Sequence, residues 1–201
     1  MIQLYNDVMV SCILLAAGQS MRFGSPKALA LLNGETVISR LQRILLDSAV
    51  DEIIVVTGAH ASALKPYLLN HKRLKVVHNK DYILGQTSSF QAGLREVCPK
   101  SLGFMLLPVD YPLVKTQTID ILVDEFMKKA DKIIIPTCDS QKGHPPIFPV
   151  ALKNEFLSLN SSEGLNQVQR CHQENIIFCA VADKGTVKSF NTEEEFESLF
   201  K

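Results

Sequence analysis

One stretch of the chain combines small residues with cations at short range: Leu15-Ala16-Ala17-Gly18-Gln19-Ser20-Met21-Arg22-Phe23-Gly24-Ser25-Pro26-Lys27. Ala16, Ala17 and Gly18 let backbone approach a ligand closely, and Gly18 and Gly24 are free to take positive φ. Backbone N–H groups in such a loop form an anion-binding concavity, to which Arg22 and Lys27 add two positive charges. A polyphosphate suits that chemistry. Two common phosphate loops do not match it. A Walker-type loop has its lysine directly after the second glycine, whereas Lys27 stands three residues beyond Gly24. The dinucleotide fingerprint G-x-G-x-x-G fails because Gln19 and Ser20 follow Gly18.

Three further segments carry polar chemistry. In Pro108-Val109-Asp110-Tyr111-Pro112, Asp110 is a hard oxygen donor suited to Mg²⁺, with Mn²⁺ as an alternative. Taken alone it reads equally as an Asx turn or cap. Gly85-Gln86-Thr87-Ser88-Ser89 precedes an apolar periodicity at Phe90, Leu94 and Val97, so Ser88 and Ser89 fall in a helix's first turn. There they cap the helix or meet a base or ribose. Gly143-His144-Pro145-Pro146 is a rigid loop with one histidine; His60, His71, His78 and His172 lack such a context and read as surface or packing residues. No serine sits in a G-x-S-x-G elbow, and no cysteine has a base at motif spacing, so a protein nucleophile is neither evident nor required.

These segments need a scaffold that brings them to one edge. Short β-branched runs at 12–16, 52–57, 74–78, 103–107, 132–136 and 176–181 read as strands, several apolar on both faces. Between them, Val37, Ile38, Leu41, Ile44 and Leu45 recur at helical spacing. So do Ile119, Leu122, Val123, Phe126 and Ala130, with Thr118 as the expected N-cap. Alternating strands and helices predict a doubly wound, three-layer α/β/α domain with a mostly parallel sheet. Ligands in such sheets sit beyond the carboxyl ends of the strands, at the turns after Ala16, Thr57, His78 and Leu107.

Composition narrows the function classes. Twenty-one basic and 21 acidic side chains among 201 residues give zero net charge, which argues against a nucleic-acid binder relying on bulk basicity. Five cysteines, with no C-x-x-C pair, read as free thiols packed as small hydrophobes. Residues 1–17 offer a poor signal-peptide n-region, and the apolar run from Val8 to Ala17 is too short to span a membrane, so the expected location is cytoplasmic.

The pattern Leu15-Ala16-Ala17-Gly18-x-Ser20-x-Arg22-x-Gly24-x-x-Lys27 resembles the signature of nucleotidyltransferases with a dinucleotide-binding-like fold. Within them it is most similar to the molybdenum cofactor nucleotidyltransferases, above all the molybdopterin cytidylyltransferases. Val56-Thr57-Gly58, Gly85-Gln86-Thr87-Ser88-Ser89, Pro108-Val109-Asp110-Tyr111-Pro112, Gly143-His144-Pro145 and Phe190-Asn191-Thr192 agree in chain order.

The resemblance implies one domain over 1–201, with residues 8–115 binding the nucleotide and 116–201 binding the acceptor and completing the sheet. It implies a nucleotide site built from Leu15, Ala16, Ala17, Gly18, Arg22, Lys27, Thr57, Gly58, Gly85, Ser88 and Ser89. Gly143, His144 and Pro145 would bind the acceptor, and Asp110 the metal. Asn191 stands where cytidylyltransferase relatives usually carry a second metal-binding aspartate; its segment reads equally as a capped helix start. Arg22, Lys27 and Asp110 would carry catalysis by positioning and charge neutralisation as an acceptor phosphate attacks the α-phosphorus.

Members of the resembled family that take GTP more often carry Gly-Gly where this chain has Ala17-Gly18, and those taking CTP or UTP carry Ala-Gly. The resemblance therefore implies CTP over GTP, a preference for which one methyl is worth about 1–3 kcal/mol at most. The expected acceptor is molybdopterin; another phosphorylated metabolite, taken by a cytidylyl- or uridylyltransferase, is the alternative. A molybdoenzyme or its chaperone is an expected partner, and a non-catalytic nucleotide- or cofactor-binding chaperone is the rival from another class. An NAD-type oxidoreductase is disfavoured by the missing fingerprint.

Overall fold

The computed structural model describes residues 10–161 and 163–199. The readings of residues 1–9, including the domain start at residue 8, lie outside them. Ten strands are present among the described residues: β1 (Val10–Ala16), β2 (Leu31–Leu32), β3 (Glu35–Thr36), β4 (Glu52–Thr57), β5 (Leu74–His78), β6 (Gly103–Pro108), β7 (Ile133–Cys138), β8 (Gln141–Lys142), β9 (Ile147–Pro149) and β10 (Ile176–Ala180). The helices are α1 (Val37–Leu46), α2 (Ala61–Leu64), α3 (Gln86–Arg95), α4 (Thr116–Lys128), α5 (Lys153–Ser158), α6 (Asn166–Cys171) and α7 (Glu193–Ser198).

β1 lies in the middle of the main sheet, whose order is β10-β7-β9-β6-β1-β4-β5, with β8 added to β7. Its seven residues are all buried because alternate side chains enter two different cores. Cys12, Leu14 and Ala16 join α1 and α4 residues on one face. Ile13 and Leu15 join Phe90 and Leu94 of α3, Phe156 of α5 and Val168 of α6 on the other. Helices on both faces of a largely parallel sheet are the expected three layers.

Registry aligns the carboxyl ends. Ala16 pairs with Thr57, and Leu15 pairs with both Val56 and Pro108, so β1, β4 and β6 deliver their following loops side by side. β9 departs from the expected pattern: it runs antiparallel between β6 and β7, whereas Ile147-Phe148 read only as the continuation of a rigid loop. Three residues are too few for a period-2 signal, and only their pairing with β6 and β7 identifies them as a strand.

Thr118 does not cap α4. The helix starts at Thr116 with Lys115 before it. Thr118 Oγ1 instead donates to the Asp183 carboxylate at 2.6 Å, which also accepts from the Lys115 and Gly185 N–H groups, each at 2.9 Å. A buried carboxylate 65 residues away in sequence therefore satisfies the helix start, where negative charge is favoured by the helix dipole.

The cysteines are all free, as expected, but not all buried: Cys12 and Cys138 are, whereas Cys171 is exposed on α6. Burial pushes the Cys12 thiol well above its usual range, keeping it inert. No helix among the described residues is long and apolar enough to cross a membrane.

Candidate active site

The loop leaving β1 is tied to itself. The N–H groups of Phe23 and Gly24 donate to the Ser20 carbonyl, and Ser20 Oγ accepts from the Lys27 N–H at 3.1 Å. The left-handed positions are Ser20 (φ 54°) and Gly24 (φ 77°); Gly18, equally free to take such a conformation, does not. Phe23 turns inward and packs edge-on against Phe190 and Phe196, at ring-centroid distances of 5.3 and 5.9 Å. That contact anchors the loop's middle while its cations face the cleft.

Those cations converge on Asn191. Lys27 Nζ donates to Asn191 Oδ1 and to the Phe190 carbonyl, both at 2.8 Å, and Arg22 Nη2 donates to the same Oδ1 at 3.0 Å. Lys27 Nζ also stands 4.0 Å from Asp110 Oδ2. The other Asp110 oxygen, Oδ1, is buried with no hydrogen-bond partner. Burial holds the Asp110 carboxyl above its ordinary range despite the opposing charge of Lys27. Burial likewise lowers the Lys27 ammonium, against the attraction of Asp110. Both groups are thus less comfortable as ions than in water, the condition of a site completed by a charged ligand.

A divalent cation fits this donor set. Asp110 Oδ1 is an unsatisfied anionic oxygen in the cavity that Asn191 also lines, and hard cations take such oxygens together with phosphate and water. No cluster of three or more His, Cys, Asp or Glu side chains suited to a metal exists among the described residues. A cation held here would take the rest of its shell from a bound ligand and water. Asn191 is already engaged by Lys27 and Arg22, so it ties the two cations together rather than presenting a free oxygen.

Two cavities flank Asp110. The smaller, about 400 Å³, is lined by Leu15, Ala16, Ala17, Gly18, Arg22, Lys27, Gly85, Ser89 and Asn191, all expected nucleotide or metal residues. The larger, about 810 Å³, takes Gly143 and His144 from the expected acceptor set, with Pro146 rather than Pro145 in its wall. Asp110, Pro108 and Gln86 border both. His144 stacks on Tyr111 at 4.4 Å, and burial lowers its pKa to about 4, so its imidazole is neutral.

Three expected nucleotide residues sit elsewhere. Ser88 Oγ donates to the Asp81 and Gly85 carbonyls and accepts from Asn79 Nδ2, so it closes the turn rather than facing the cleft. Thr57 Oγ1 is directed to the Val77 carbonyl and borders a separate hollow. Gly58 is a crossing point: a Cβ there would lie 2.5 Å from the Ala17 carbonyl oxygen, so only glycine lets the two turns touch. Gly85, at φ 100° and ψ −166°, occupies a conformation open essentially to glycine alone as the chain enters α3.

The sequence reading missed His60. Its Nε2 lies 3.0 Å from the Gln19 carbonyl and its ring borders the smaller cavity. The signal was its place in the turn after β4, one of the four turns marked for ligands.

The MobA-like NTP transferase domain family matches residues 12–176. The chain belongs to that family. This MobA-like protein is 28% identical over 205 residues to a nicotine blue oxidoreductase from Paenarthrobacter nicotinovorans, covering 94% of this chain and 96% of that protein. It is 26% identical over 192 residues to a "Probable molybdenum cofactor guanylyltransferase" from Bacillus cereus (strain Q1), at 92% of each chain. It is 29% identical over 136 residues to the molybdenum cofactor cytidylyltransferase of Escherichia coli K12, at 68% of each. The fold matches Rv0371c from Mycobacterium tuberculosis H37Rv with a TM-score of 0.81 at 22% identity, covering 96% and 98% of the two chains. A manganese complex of Rv0371c aligns at 0.77. The chain is thus a nucleotidyltransferase by its MobA-like family, with an α/β/α fold like that of Rv0371c.

Proposed function

We propose that this protein transfers CMP from CTP to the phosphate of molybdopterin, releasing pyrophosphate, with Mg²⁺ or Mn²⁺ as the cation. The observation that carries this reading is the buried, unpartnered Asp110 Oδ1 at the junction of a cation-lined cavity and a larger one. In the reaction an oxygen of the acceptor phosphate forms a bond to the α-phosphorus while the bond to the β-phosphate oxygen breaks. The electron pair leaves with pyrophosphate.

Arg22 and Lys27 exchange Asn191 for the β- and γ-phosphates and stabilise the departing charge. Backbone from Ala16 to Gly18 lies against the nucleotide, and Gly85 and Ser89 close the base side. When bound, the divalent cation at Asp110, with Asn191 as a second oxygen, neutralises charge on the phosphates. Neutral His144, stacked on Tyr111, offers the acceptor a wall with one donor and one acceptor but no charge.

The CTP preference rests on Ala17, which borders the smaller cavity and whose methyl is packed into the core beside Gly58, so it acts by fixing the backbone of that wall. The guanylyltransferase-named relatives weigh toward GTP and make the comparison of nucleotides the decisive arm. The test is pyrophosphate release with CTP, GTP or UTP, Mg²⁺ and purified molybdopterin. CTP is expected to give the highest kcat/KM. Faster turnover with GTP overturns the nucleotide assignment, and no release with any triphosphate overturns the transfer reading.

A second reading is favoured by the oxidoreductase-named relative, which matches nearly the full chain. NADH or NADPH oxidation by a quinone-like dye, in the absence of any triphosphate, discriminates it.

A further inference from the structure

The wall of the larger cavity carries side chains with no structural occupation. Asn166, Gln169 and Arg170 of α6, and Gln173 in the turn just beyond it, follow i, i+3, i+4 and i+7 spacing, and all four border the cavity. Other positions of the same segment are accounted for. Leu165 and Val168 are buried in the core beside α3. Gln167 Nε2 donates to Glu163 Oε1 at 3.0 Å, and His172 pairs with Glu155 at 2.8 Å. Among the described residues, the four cavity-facing side chains make no hydrogen bond or ion pair within the protein. The same cavity contains Phe178, 50% exposed, with Lys142 Nζ 4.9 Å above its ring.

A phosphate alone does not need about 810 Å³; that volume suits a whole small molecule. A carboxamide offers a donor and an acceptor side by side, so Asn and Gln pair bidentately with ring edges that present the complementary pair. Three such groups on one stripe match a heterocycle rich in ring amide and amidine groups. An exposed aromatic ring matches its flat face, and Arg170 and Lys142 match anionic substituents.

We propose that Asn166, Gln169, Arg170 and Gln173 determine acceptor specificity, the three carboxamides reading the edge of a planar, amide- and amidine-bearing heterocycle, Arg170 meeting its anionic substituents and Phe178 lying against its face. This rests on the transfer reading above and adds to it which part of the acceptor is recognised, and by what. The four residues touch the acceptor far from the bond that is made, so their variants change acceptor affinity and leave nucleotide affinity alone.

The probe is a free pterin without phosphate, titrated into the full chain and followed by its own fluorescence. CTP·Mg²⁺ and GTP·Mg²⁺ affinities are measured in parallel on the same samples. Binding of the pterin by the wild type, weakened at least tenfold in the Gln169→Ala/Arg170→Ala double variant but unchanged in Gln167→Ala, is the expected result. Gln169 and Arg170 hold nothing in the fold and Gln167 only an exposed bond to Glu163, so both variants keep the wild-type Tm and triphosphate affinity. Equal pterin binding by wild type and double variant overturns the proposal. So does a wild type that binds triphosphate but no pterin, a result that leaves nucleotidyl transfer standing. A wild type that binds neither triphosphate overturns the transfer reading, and this proposal with it.

Discussion

The two cavities that meet at Asp110 are walled by different kinds of matter. The smaller one is bounded by a loop closed on its own Ser20 carbonyl and by the Gly85 entry to α3, with the glycine crossing at Gly58 packed against Ala17 outside it. The larger one is walled by long side chains over an antiparallel insert, several of them unattached. Fixed donors cost no reorganisation when charge develops and suit the triphosphate that every substrate pair shares. Loose side chains cost roughly 0.5–1.5 kcal/mol each to immobilise and suit the part of the substrate that distinguishes one reaction from another. One half of the site is built for precision and the other for choice.

The contrast breaks first at the charges. Lys27→Ala and Asp110→Ala are each expected to lower kcat for pyrophosphate release by about 10²–10³, with little change in acceptor KM. A loss expressed mainly in acceptor KM would place them in the wrong half. On the other side, His144→Ala removes the stack on Tyr111 and is expected to raise acceptor KM by roughly tenfold, leaving CTP affinity unchanged in a direct titration.

Backbone sharpens the same contrast. Gly58→Ala drives a methyl against the Ala17 carbonyl and is expected to cost about 1–3 kcal/mol in a denaturant titration while weakening CTP binding. Gly164 borders the larger cavity with open space where its Cβ would go, and Gly164→Ala is expected to stay within about 0.5 kcal/mol of wild type.

The two halves also differ in their response to pH. Asp110 must be ionised to work, and burial raises its carboxyl, so the acid limb of kcat/KM in the free enzyme should lie above the ordinary aspartate range. A raised folded-state value means the folded chain takes the proton more readily than the unfolded one. Stability from this group is therefore present at low pH and lost as pH rises through the folded value. Asp110→Asn is accordingly expected to be inactive yet no lower in Tm than wild type at pH 7. His144 moves oppositely: lowered to about 4 by burial, it stays neutral while the unfolded chain charges, so its contribution declines as pH falls below 6.5 towards 4. No inflection of acceptor KM near 6.5 is expected from it.

How much of this was legible in the sequence follows the same division. The strands at 52–57 and 74–78 appear with the expected bounds, and ten of the expected site residues line the smaller cavity, because β-branched runs and glycine turns act locally. Ser88 illustrates the limit: its place in the first helical turn was readable, but the carbonyls of Asp81 and Gly85 decided where its hydroxyl points. Asp183 as the support of α4, and β9 between β6 and β7, depend on partners remote in sequence, which no local pattern encodes. The polar stripe at Asn166, Gln169, Arg170 and Gln173 has helical spacing, but in a helix of six residues that periodicity is too brief to stand out from an ordinary solvated face.

Arg22 and Asn191 are 169 residues apart in sequence, and the rings of Phe190 and Phe196 pack on Phe23. During synthesis, β1, β4, β5 and β6 leave the ribosome long before the partner that sets the phosphate loop. A growing chain can therefore assemble most of its central sheet while its cations are still unaimed. Under the proposed function, the aiming of Arg22 and Lys27 at triphosphate would wait for the Phe190–Asn191 segment.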